Sequence, residues 1–263
     1  MLIENKSAVI YGAGGAVGSA VARAFAREGA RVFLTGRNLG RVEALAGQIN
    51  GAGGRAEAAV VDALDERAVE QHLDGVVEKT GRVDISFNAI GIPQRGIQGM
   101  PLSELAVESF ILPVTTYARA HFLTARGAAR RMVPKRSGVI LLHTPEPARI
   151  GSPLVGGMGP AWAALEGLTR SLSAELGPYG VRVVCVRSTG IPETATIDVV
   201  FGAHAKAMGI TREQFQGLME SMAHTRRSTT LAELTSVAAF LVSDRASGMT
   251  GTVANLTGGE VVD

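Results

Sequence analysis

Short apolar runs alternate with longer amphipathic stretches along most of the chain. SAVIY (7–11), RVFLT (31–35), EAAVVD (57–62), VDISFN (83–88), GVILLHT (138–144) and VRVVCVR (181–187) predict strands. Most are apolar at consecutive positions, as strands covered on both faces must be. Helical periodicity runs between them, near 17–29, 39–50, 65–80, 103–133 and 154–177. In the last of these, Leu165, Leu168 and Leu172 predict a stripe packed on a sheet. The pair Thr230 and Glu233 reads as a capping box opening a final helix, and GTVANL (251–256) predicts a last strand. Segment 188–230 reads as irregular, with one short helix entered by the capping pair Thr211 and Gln214. Alternation of this kind predicts right-handed crossovers and a parallel sheet. No linker, repeat or low-complexity tract interrupts it. Residues 1–263 therefore predict a single α/β domain with a Rossmann-type, doubly wound parallel sheet.

Composition narrows the partners. Hydrophobic residues make up 46% of the chain, enough for a full core. A formal net charge of +2 provides no field to recruit nucleic acid or a membrane surface. The densest basic group, Arg126, Arg130, Arg131, Lys135 and Arg136, suits a helix C-terminus, where cations offset the dipole. The single cysteine, Cys185, lies in the apolar run VRVVCV and predicts a buried, inert thiol in a reducing compartment. No apolar run reaches the roughly 18 residues of a membrane span. The chain enters a strand almost at once, which leaves no room for a signal peptide. These features predict a cytoplasmic protein with a small-molecule ligand or substrate. His204 and His224 have no spacing that supports a metal site.

The stretch VIYGAGGAVGSAVARAFAREGARVFLTGRN (9–38) is a strand, a glycine turn, a helix and a second strand. Glycines there let the backbone approach a pyrophosphate, which the free N–H groups of the helix start can bind. Gly12, Gly15 and Gly18 are the main positions, with Val17 in the same turn. Enzymes that use NAD place an acid at the end of the second strand. This chain has TGRN there, and the Arg37 guanidinium suits the extra phosphate of NADP(H).

Together with other motifs, this turn resembles the short-chain dehydrogenase/reductase family over essentially the whole chain. YGAGGAVG resembles the family's glycine turn, VVDALD its adenine-contacting segment with Asp62 in the key place, and FNAIG its third motif with Asn88 as first asparagine. WAALEGLTRSLSAELGPYGVRVVCV and VAAFLVSDRASGMTGTVANLTGG are similar to its central helix and strand and to its C-terminal signature. The resemblance implies a homotetramer that reduces carbonyls or oxidises alcohols with a nicotinamide cofactor. It also implies a proton-exchanging tyrosine, a lysine that lowers its pKa, a carbonyl-polarising serine and a relay asparagine. At those positions stand Met158, Trp162, Pro145 and Tyr117. In the motif Pro-Gly-x-Ile/Val-x-Thr, Gly190 and Thr194 remain, Thr189 replaces the proline, and Pro192 removes the N–H that holds the nicotinamide carboxamide. Ala16 replaces a glycine of the phosphate turn.

The pattern has a direction. Gly12, Gly18, Arg37, Asp62 and Asn88 survive for the adenine half, while groups for the nicotinamide half and for proton transfer are replaced. Met158 has no proton to give, and Trp162 has no charge to tune a neighbour. The first expectation is a dinucleotide-binding protein, NADP(H) if any, that has lost carbonyl-reductase chemistry. Such a pseudoenzyme would serve a binding, regulatory or partner-subunit role, as a homotetramer or beside an active relative. A second reading is an NADP(H)-dependent oxidoreductase with relocated acid–base groups, for which Tyr117, His143 and Glu146 are the candidates. His143 shares a strand face with Pro145, and Glu146 lies at a strand end, where ligands meet open α/β sheets. The blander roles are a space-filling ring, a satisfied core histidine and a surface-loop glutamate. A third reading is a non-redox isomerase, cyclase or dehydratase.

Overall fold

The computed structural model describes residues 1–262. Seven strands form one sheet: β1 (Ser7–Tyr11), β2 (Arg31–Gly36), β3 (Arg55–Val60), β4 (Ile85–Asn88), β5 (Gly138–Pro145), β6 (Val181–Ser188) and β7 (Val253–Leu256). Their order is β3-β2-β1-β4-β5-β6-β7, and every neighbouring pair is parallel. Parallel pairing requires crossovers, and helices supply them. These are α1 (Ala16–Arg27), α2 (Leu39–Gly51), α3 (Glu66–Thr80), α4 (Val107–Met132), α5 (Met158–Leu176), α6 (Ala195–Met208), α7 (Arg212–Met222) and α8 (Leu231–Val242).

Consecutive apolar residues in the strands divide between two cores. Ala8 and Ile10 of β1 face the cluster shared with α1, α2 and α8, whereas Val9 and Tyr11 face the one shared with α3, α4 and α5. In β6, Val184 and Val186 join the first cluster, and Val181, Val183 and Cys185 the second. The strand period of two therefore places every residue of such a run in one core or the other. After β3 the chain returns to the centre and sets β4 beside β1, with Tyr11 opposite Asn88. The loops after β1 and β4 diverge at this switch point and leave a crevice at the carboxyl ends of the strands.

Several expectations are corrected. The segment 188–230 holds two helices, α6 and α7, where one was expected. Helix α6 starts at the N-cap Thr194 and stops at left-handed Gly209. Both capping boxes, Thr211 with Gln214 and Thr230 with Glu233, are formed. Leu165 and Leu172 pack on the sheet, but Leu168 is only partly covered and joins neither core. The third strand begins and ends two residues earlier than predicted, which leaves Asp62 beyond it. The arginines of α4 do more than face a helix end: Arg126 pairs with Glu66, Arg130 with Glu70, and Arg131 with Glu70 and Asp74, all on α3. Among the described residues, no helix is long and apolar enough to cross a membrane, and no three His, Cys, Asp or Glu side chains are grouped to hold a metal.

Candidate functional site

The turn after β1 is closed by two glycines. Gly12 has φ +70°, and a Cβ there would lie 2.7 Å from the carbonyl oxygen of Ala89, because β1 and β4 loops touch at this point. A Cβ on Gly18 would lie 2.4 Å from the Gly12 carbonyl oxygen, so only glycine lets α1 settle on the turn. Gly15 is the N-cap of α1 and gives it no side-chain cap. The N–H groups that begin α1 therefore lack a side-chain partner where Gly15, Ala16 and Val17 line a cavity, a setting suited to an anion. Arg37 lies exposed just beyond β2 and pairs with no acid among the described residues. These features fit the pyrophosphate and adenosine part of a dinucleotide.

The remaining residues singled out for the cofactor shape the same edge. Asp62 accepts the Leu64 N–H at 3.0 Å. Asn88 is buried, donates to Thr124 Oγ1 at 3.0 Å and accepts from the Ile90 N–H at 3.0 Å, which ties the end of β4 to α4. Thr194 caps α6 and donates to the Ile191 carbonyl at 2.9 Å. A Cβ on Gly190 would lie 3.2 Å from the Phe201 ring, so α6 sits close over this loop.

The cavity has a volume of about 420 Å³ and runs from the start of α1, past Asn88–Gly91, to α6 and α7. Size and position at the strand ends suit a ligand site. Tyr117, Pro145, Met158 and Trp162 all line it, and so do His143 and Glu146. The fold thus brings all six together. It adds two groups that sequence reasoning passed over. His121 lies one helical turn beyond Tyr117 on α4, an i, i+4 spacing that could have flagged it. Ser188 is the register partner of Pro145 on the adjacent strand.

Local chemistry follows from burial. The Ser188 hydroxyl donates to the Thr189 carbonyl at 3.0 Å, so it accepts from His143 Nε2–H at 2.9 Å. Enclosure lowers the His143 pKa to about 4, helped by His121 nearby. Burial likewise lowers His121 to about 4, against the opposing pull of the Tyr117 carbonyl, to which its Nδ1–H donates at 2.9 Å. Both imidazoles are neutral at pH 7. Burial raises the Tyr117 phenol to about 12, opposed by the Ile92 backbone. Glu146 is not the exposed loop residue of the bland reading: it is 6% exposed in a short 3-10 turn after β5. Burial, then repulsion from Glu260, raises its carboxyl to about 8, and its Oε2 has no hydrogen-bond partner among the described residues. At neutral pH it is a carboxylic acid set in the cavity wall.

Comparison with known proteins matches residues 12–260 to the family model described as "Enoyl-(Acyl carrier protein) reductase". The chain is 31% identical over 257 residues to "Uncharacterized oxidoreductase YxbG" of Bacillus subtilis (strain 168), covering 98% of this chain and 91% of that protein. It is 34% identical over 205 residues to "L-rhamnose 1-dehydrogenase (NAD(P)(+))" of Azotobacter vinelandii, covering 76% and 77%. Among solved structures, NAD+-bound xylitol dehydrogenase superposes with a TM-score of 0.92 at 25% identity, covering 98% of this chain and all of that one. The relatives are named oxidoreductases and dehydrogenases. This corrects the expectation of a pseudoenzyme kept for binding, regulation or partnership. Replacing the four family positions empties those positions, but other ionisable groups face the same space.

Proposed function

Because the chain belongs to the short-chain dehydrogenase/reductase family, we propose that it is an NADP(H)-dependent oxidoreductase interconverting a carbonyl and an alcohol, with its acid–base work moved to Glu146. The observation that carries this reading is the buried Glu146 carboxyl, whose Oε2 has no partner and which lines the cavity. A bound nicotinamide supplies or accepts the hydride. In reduction, the protonated Glu146 carboxyl donates its proton to the carbonyl oxygen and is left as a carboxylate; in oxidation, the carboxylate takes that proton back. His143 is a positioning residue: it is neutral, donates to Ser188, and fixes the hydroxyl beside Pro145. Tyr117 keeps its proton too tightly to compete with Glu146 and fills the space beside the Ile92 loop.

Arg37 supports a preference for the phosphorylated cofactor, as an exposed guanidinium with no acidic partner among the described residues. Pro192 offers no N–H to the carboxamide, so the nicotinamide end is held by other contacts. A homotetramer is supported by exposed Val107, Ile111, Leu112 and Phe122 on α4. The buried thiol of Cys185 accords with a reducing, cytoplasmic setting.

The test is NADPH oxidation with a panel of neutral ketones, using wild type and Glu146→Gln. Wild type is expected to turn over, and the variant to lose about a hundredfold or more in kcat. Equal rates in both proteins, or no turnover by wild type across the panel, would overturn the reading.

A further inference from the structure

The cavity that holds Glu146 also records what it accepts. Its far wall, built by α6 and α7, presents Phe201, Met208, Phe215, Leu218, Met219 and Met222. Methionine adapts its three torsions to irregular apolar shapes. Met208, Leu218 and Met222 are 48%, 43% and 45% exposed, so the apolar surface continues to the cavity's outer edge. The two helices share a small core of their own, Phe201 and Phe215 meeting edge to face at 5.2 Å, apart from the two cores that hold the sheet.

Three polar side chains beside this wall, Gln94, Gln98 and His204, are already engaged with one another or with backbone. Gln94 Nε2 donates to the Ile92 carbonyl at 2.7 Å, and Gln98 Nε2 donates to Gln94 Oε1 at 2.7 Å. His204 Nε2 meets Gln98 Oε1 at 3.1 Å. A ligand with several hydroxyls would have to give up water for a mostly apolar surface whose amide and imidazole groups are taken, and each unmatched group costs free energy. No lysine or arginine lines the cavity, so away from the start of α1 an anion would enter a low-dielectric space with no counter-charge and a glutamate for neighbour. Near this wall, the Glu146 Oε2 is a buried polar atom without a hydrogen-bond partner among the described residues.

Resting on the oxidoreductase reading of this site, we infer that the substrate is an uncharged ketone or secondary alcohol with a single oxygen at the reacting centre and a large apolar body that reaches α6 and α7. Polyols, sugar phosphates and carboxylates are excluded by the same wall.

Trp162 is the only tryptophan in the chain and lines the cavity, so its fluorescence reports binding directly. The probes are 2-decanone and 1-decalone as neutral apolar ketones, decanoate as the matched anion, and ribitol and glucose 6-phosphate as polar ligands. Each is titrated into the full chain with and without NADP+. Both ketones are expected to change the emission at least about tenfold more tightly than decanoate, a difference of about 1.4 kcal/mol. Ribitol and glucose 6-phosphate are expected to give no response at millimolar concentration. Met219→Lys, checked for folding by its thermal melt, is expected to shift the preference toward decanoate by up to about fivefold, because it places an ammonium in the wall. Decanoate or glucose 6-phosphate binding as tightly as the ketones in wild type would overturn the inference, as would ketones that fail to bind. Because this readout needs no turnover, tight ketone binding without NADPH-dependent reduction would refute the oxidoreductase reading and leave the ligand class standing.

Discussion

Glu146 should reveal itself in stability before any substrate is known. Burial and Glu260 carry its carboxyl from an ordinary 4.5 to about 8 in the folded chain. Each pH unit of such a displacement corresponds to about 1.4 kcal/mol, so ionising Glu146 costs the folded state about 5 kcal/mol. The sign follows from proton binding. Below the unfolded value, both states hold the proton and there is no penalty. Between the unfolded and folded values, the unfolded chain has released its proton and the folded chain has not, so stability falls as pH rises. Above about 8 both states are ionised and the full penalty is present. Glu146→Gln removes this titration and keeps nearly the same shape. Urea unfolding of wild type and variant across about pH 5 to 8 should give curves that separate in the variant's favour by about 1.4 kcal/mol per unit. Glu260, also raised by burial, slopes both curves in the same direction. Parallel curves for the two proteins would refute the assignment. In turnover, the same group should make ketone reduction fall about tenfold per pH unit above about 8, while alcohol oxidation rises through that range.

Three further outcomes are expected. Arg37→Ala should weaken NADPH by about ten- to a hundredfold, from the loss of about 1.5–3 kcal/mol of charge-assisted bonding, and leave NADH unchanged by calorimetric titration. Arg187→Met should destabilise by about 3–5 kcal/mol in urea, since it strips Glu166 of a buried bidentate partner at 2.8 Å from both Nε and Nη2; adding Glu166→Leu should restore much of the loss. Tyr117→Phe should change kcat by less than about threefold, because the ring supplies burial and the phenol transfers no proton; a loss of about a hundredfold would make Tyr117 the acid.

The sheet was legible because β1 and β6 write both cores into consecutive apolar residues, and strand alternation does the sorting. Helix α6 was not, since ATIDVVFGAHAKAM is apolar on too many sides to show a stripe; its marks were the caps, Thr194 and Gly209. The substituted positions Tyr117, Pro145, Met158 and Trp162, which the family resemblance grouped, line one cavity although three separate elements carry them and no local spacing joins the three. Their meaning was misread. An emptied position was equated with absent chemistry, although chemistry depends on which groups face the space. Those groups come from distant segments: Ser188 reaches His143 through the β5–β6 register, and Glu260 bears on Glu146 from the far end of the chain. No local pattern around Glu146 encodes its burial, which α6, α7 and the C-terminal turn complete.

The central claim is hydride transfer assisted by Glu146, and isotope transfer tests it most directly. The full chain is incubated near neutral pH with NADPH deuterated at nicotinamide C4 and with 1-decalone, and the product is examined by mass spectrometry. Wild type should give the alcohol with one deuterium at the carbinol carbon, and Glu146→Gln should give about a hundredfold less in the same time. Absence of deuterated alcohol from wild type, under conditions where Trp162 fluorescence shows the ketone bound and titration shows NADPH bound, would contradict the account.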